Sequence, residues 1–200
     1  MELSMATAKK IITEDKAAAF FQFSVLEAIN GRWPEIKRIF KQLIRDESFS
    51  FANEEGALFD LLLAVEASEL GALKNIFPAD QAHRLFDLCL GSWESPEDLE
   101  YARLEIEEYT NFYEKALNEG ENPIYAIPVR LLHRWLGSSI RDFLVKFDGP
   151  AALALGVPEG MGYVDPLLVQ VFTQEVFFGL IGFGRWKRIF EDYELIPSVN

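Results

Sequence analysis

The chain has 200 residues, 50 % hydrophobic and 26 % charged, which excludes a disordered or fibrous class and leaves room for one domain. Its 19 basic and 32 acidic side chains give a net charge of −13. That charge argues against nucleic acid or an anionic membrane as partner, because both would be repelled.

The N-terminal Met1 to Lys10 has no apolar run of the secretory kind, and residues 1–12 are expected to be flexible. Thr13 followed by Glu14 and Asp15 predicts a helix start, with Asn30-Gly31 as its stop. Pro34 then opens a second helix that buries Ile36, Ile39, Phe40, Leu43 and Ile44 and exposes Lys37, Arg38, Lys41 and Arg45. The short link predicts that the two are antiparallel neighbours. Asn53 caps a third helix, read as running from Gly56 to Phe77, and Pro78 starts a fourth that ends near Leu90.

Cys89, in that fourth helix, is the single cysteine and reads as a small buried hydrophobe in a reducing compartment; a cytoplasmic location is expected. Ser95-Pro96-Glu97-Asp98 marks the start of a fifth helix, whose Leu99, Ala102, Ile106, Tyr109, Tyr113 and Ala116 form a bundle-type seam. A sixth is predicted from Val129 to Phe147, with Arg130, Arg134, Ser138 and Arg141 on its outer face. Residues 148–166 form a Gly/Pro-rich connection with a helical turn expected at Ala151–Leu155. Pro166 starts a seventh helix that Gly182 and Gly184 bend or end, and Trp186, Ile189, Phe190 and Tyr193 face inward from a last piece. No strand is predicted. The expectation is an all-α, single-domain bundle of seven to eight helices over residues 1–200, with mostly short connections.

Leu167 to Phe183 is apolar enough to raise a membrane span. Glu175 at its midpoint would cost about 3 kcal/mol in a bilayer, so a buried core helix and no span are expected.

Ionisable groups on apolar faces are the candidates for chemistry. Glu175 shares its predicted face with Leu168, Val171, Phe172 and Phe178; Glu66 shares one with Leu62, Leu63, Leu70 and Leu73; His133 flanks the inner face of the sixth helix. A buried carboxylate needs a partner, a proton or water, and convergence of the three would make an acid/base site. Glu66-x-x-Glu69 and Glu105-x-x-Glu108 add two carboxylate pairs that resemble those of all-α nucleotide pyrophosphohydrolases. That resemblance implies a hydrolase in which Glu66, Glu69 and Glu105 hold Mg²⁺ for a phosphate-containing small molecule. A di-iron site would need two Glu-x-x-His motifs, and with only His83 and His133 the chain has none. No Walker, Gly-x-Ser-x-Gly or Cys-x-x-Cys pattern occurs, and neither resident metal nor cofactor is expected.

Residues 51–125 carry 4 basic and 17 acidic side chains, so they hold the entire negative excess. That block, together with 17 Phe and 4 Trp, favours a protein-interaction module (an adaptor, specific chaperone or immunity-type inhibitor) that steers and buries a basic amphipathic partner. Some of the aromatics could instead form a homodimer face or line a site for an apolar ligand between the sixth and seventh helices. The stripe Lys37, Arg38, Lys41 and Arg45 is the matching candidate for an acidic or phosphate-bearing ligand.

Overall fold

The computed structural model describes residues 9–91, 96–118, 125–137, 144–146, 162–164 and 166–198. They are mostly helical. In chain order the elements are β1 (Lys10–Thr13), α1 (Glu14–Ile44), α2 (Glu54–Leu70), α3 (Leu73–Ile76), α4 (Ala79–Leu90), α5 (Pro96–Asn118) and α6 (Ala126–Leu136). Next come β2 (Leu144–Lys146), β3 (Gly162–Val164), α7 (Pro166–Phe172), a π-helical segment (Thr173–Ile181), α8 (Arg185–Asp192) and β4 (Tyr193–Ile196).

The largest departure from the sequence reading is α1, which runs 31 residues without a stop at Asn30-Gly31 and carries Pro34 inside it. The expected antiparallel pair is therefore one continuous helix. Ala17, Phe21, Val25, Ile29, Trp33, Ile36, Phe40 and Ile44 are all buried and advance in steps of three or four. An interior proline costs about 3 kcal/mol, whereas burying each large apolar side chain beyond it returns about 1.5–3 kcal/mol. The stripe therefore outweighs the local punctuation. Arg45 then closes α1 in the left-handed region at φ 55°.

The third predicted helix is shorter than expected, ending at Leu70, with α3 a separate turn beyond Gly71. Asn53 caps α2 as predicted, its side chain accepting from the Gly56 N–H at 3.0 Å. The sixth stops at Leu136, and Gly137 follows with φ 52°. Ser138 and Arg141, and the helical turn expected at 151–155, lie outside the described residues.

Strands do form, contrary to expectation. β1 and β4 pair in parallel, Lys10 opposite Tyr193 and Thr13 opposite Ile196, while β2 and β3 pair antiparallel. Ile12 and Leu195, opposite each other, pack against the core. One hydrophobic cluster joins the helices from α1 to α8. Cys89 is buried in it, and an aromatic nest of Trp33, Phe40, Phe51, Trp135 and Phe172 links α1 to α6 and α7 through centroid distances of 5.1–6.1 Å.

The π-helical segment resets the register of the seventh helix. Leu168, Val169, Phe172, Thr173, Val176, Phe177 and Ile181 are buried. Their four-residue recurrence matches the wider turn better than the 3.6-residue period assumed from sequence. Gly179 suits this geometry, because a Cβ there would come within 3.1 Å of the Gln174 carbonyl oxygen.

Candidate functional site

The predicted site residues do not converge. Glu175 is exposed, because the π turn rotates it off the apolar face. His133 is exposed as well, on the outer side of α6; partial burial of its ring holds its pKa below the usual value. Glu66 alone of the expected acid/base group is buried, at 2 % exposure. Its Oε2 has no hydrogen-bond partner among the described residues, and burial pushes its pKa up to about 8, so the carboxyl is protonated at neutral pH. Burial, and to a smaller extent the charge of Glu66 once ionised, raises the thiol of Cys89 well above the ordinary range.

Glu69 is equally buried but paired. Its carboxylate meets the Arg185 guanidinium at 3.1 Å and accepts the Arg185 backbone N–H at 3.2 Å, so it caps the start of α8. The same guanidinium donates to the Gly182 carbonyl at 2.7 Å and the Ile181 carbonyl at 2.9 Å, capping the end of the π segment. This ion pair, between residues 116 apart, is a structural joint.

Glu105 lies at a second knot, between α2, α5 and α6. Arg134 bonds Glu105 and the Tyr101 hydroxyl, and reaches Asp60 at 3.0 Å. Arg130 pairs with Glu108 and approaches Glu105 at 3.5 Å. Arg130 and Arg134 were expected on an outward face, but three carboxylates draw them inward to half-buried positions. Burial raises the Asp60 pKa, with Arg134 acting against it. Thus Glu66, Glu69 and Glu105 occupy three separate environments. Among the described residues no group of three or more His, Cys, Asp or Glu is placed to hold a metal ion.

The basic stripe is partly neutralised where it stands. Lys37 meets Glu54 at 2.5 Å, and that carboxylate also accepts from the Trp33 indole at 2.8 Å; both donors hold the Glu54 pKa low. Arg38 bonds Gln42 at 3.1 Å, Lys41 bonds the Glu47 carbonyl at 3.2 Å, and Arg45 is the exposed helix cap. The first three line a pocket of about 330 Å³ floored by Phe49 and Phe51.

The far face of α5 also points outward. Leu104 is 56 % exposed, and its helical neighbours at three and four residues are Glu100, Tyr101, Glu107 and Glu108. Phe112, two turns on, is 42 % exposed, with the Arg130 guanidinium 5.8 Å from its ring centre. Acidic and apolar groups thus share one continuous helical surface.

Among the described residues, Leu167–Asp192 is the one stretch long and apolar enough to cross a membrane; Gly182 interrupts it and the buried Arg185 lies within it. Comparison with protein-family models, curated proteins and solved structures finds no match.

Proposed function

We propose that this chain is an acidic helical protein-interaction module, of the adaptor, specific-chaperone or immunity-inhibitor kind, that takes a basic amphipathic partner on the outer face of α5. Leu104 carries this reading. Leu104 and Phe112, exposed on one helical surface with Glu100 and Glu107 beside them, suit a helix with leucine and lysine on one face. The surrounding Glu100 and Glu107 would steer such a partner, and Leu104 and Phe112 would then be buried against it. The buried Cys89 thiol supports a cytoplasmic location, and the exposed apolar side chains are compatible with pairing of two copies. The seven-to-eight-helix single domain belongs to the same reading.

The test is fluorescence anisotropy of a labelled helical peptide with leucine and lysine at matching spacing, titrated with the full chain at low and moderate salt. Saturable binding that weakens with salt and is lost in Leu104→Asp supports the reading. Equal or tighter binding to Leu104→Asp, whose added charge strengthens simple attraction, overturns it.

A further inference from the structure

A cleft of about 210 Å³ opens on another part of the molecule, between α2 and α3, α5, α6 and the π segment. Ile76, Ile127, Phe177, Phe178 and Phe183 give it apolar walls. Phe183 lies between Gly182 and Gly184, both at positive φ (72° and 84°), so the aromatic wall is held by a turn that glycine makes possible. An enclosed apolar cavity of about 150 Å³ accepts benzene, so this one has room for a ring and a short substituent.

The polar groups of the cleft show what that substituent must be. Ser68 spends its hydroxyl proton on the Ala64 carbonyl at 2.8 Å, and Thr173 spends its own on the Val169 carbonyl at 2.7 Å. Glu69, the third, is an ionised acceptor held by Arg185. All three therefore present oxygen lone pairs and no free proton. Arg185, the buried cation nearby, is not among the described residues lining the cleft, and it gives three of its five N–H donors to Glu69 and the carbonyls of Ile181 and Gly182. Among the described residues that line the cleft, Tyr113, whose hydroxyl can donate or accept, is the remaining polar side chain.

We infer that this cleft is a binding site for a small apolar molecule, about the size of a substituted benzene, whose single polar group donates hydrogen bonds: an alcohol or an amine. A carboxylate would bring its charge against Glu69 and meet no cation among the described residues that line the cleft. The inference is independent of the α5 surface, so either can fail alone.

Four monosubstituted benzenes of similar size test it: benzyl alcohol, benzylamine, toluene and benzoate, each titrated into the full chain while isoleucine methyl resonances are followed by NMR. Saturable shifts at Ile76 and Ile127 are expected for the alcohol and the amine, with apparent Kd at least fivefold below that of toluene, and none for benzoate. Ala72→Leu, which fills the cleft from the junction of α2 and α3, should abolish the shifts. Tyr113→Phe, which keeps the wall and removes the ambivalent hydroxyl, should leave binding of the alcohol and the amine in place. Folding of each variant is checked by its melting curve, and Ile76→Phe serves as the filling variant if Ala72→Leu does not fold. Absence of saturable shifts, binding of benzoate or toluene as tight as that of the alcohol, or persistence of the shifts in a folded filled variant would each overturn the inference.

Discussion

Glu69 on α2 and Arg185 at the first turn of α8 form a buried ion pair that also caps two helix ends. The carboxylate serves the donors that open α8, and the guanidinium serves the carbonyls that close the π segment. Neither charge is left with an unmatched partner in the core.

Removing one side of this pair should be costly. Arg185→Leu strands an ionised carboxylate at 2 % exposure and frees two carbonyls, and a loss of about 3–5 kcal/mol is expected in urea denaturation. Adding Glu69→Leu to the same chain should cost much less than the sum of the single losses, because neither charge of the pair is then left buried alone. Additive losses would show that packing, not charge pairing, sets the effect.

Glu66 gives the chain a pH dependence of the opposite sign to a paired carboxylate. Its folded pKa of about 8 lies above the unfolded value of 4.5, so between these pH values the unfolded chain has released a proton that the folded one retains. Stability from this group is therefore full below about pH 4.5, falls as pH rises towards 8, and is flat above that. Glu66→Gln removes the ionisation. The gap between variant and parent should widen from near zero at pH 5 to a few kcal/mol at pH 8, read from urea midpoints across the range. A constant gap would mean that Glu66 does not titrate in this window.

Pro34 sits inside α1 and deprives the Asn30 carbonyl of its helical donor. Its side chain is exposed, so substitution removes little packing. Pro34→Ala should stabilise the chain by about 1–3 kcal/mol, seen as a rise in Tm. A fall in Tm would indicate that the proline bend is needed to seat Trp33 and Ile36 together.

What sequence reading could reach is set by range. The apolar stripe of α5, its Pro96 start and the Asn53 cap of α2 are local patterns, and they appear where the spacing places them. Gly31 and Pro34 are local signals too, but the stripe from Ala17 to Ile44 overrides them, and no window of a few residues weighs a stop signal against eight buried side chains. Glu175 was misplaced because one helical period was extended through a segment that adopts another. Burial of Glu66 follows from its apolar neighbours; that of Glu69 does not, and its partner is 116 residues away, where no spacing rule points. Arg134 was visible as a cation on α6; that it turns towards Asp60 and Glu105 depends on how three helices meet.

The parallel pairing of β1 with β4 has a consequence for the order in which the chain assembles. Lys10 and Tyr193 are neighbours in the ladder although nearly the whole sequence separates them. Contacts of such long separation carry the largest loop-closure cost and form only after the intervening helices have condensed. With two strands of four residues each, the ladder has little of its own to hold it once the helices loosen. It is a late clasp on a bundle already formed, and the first backbone amides expected to exchange with solvent are those of Ile11 and Glu194.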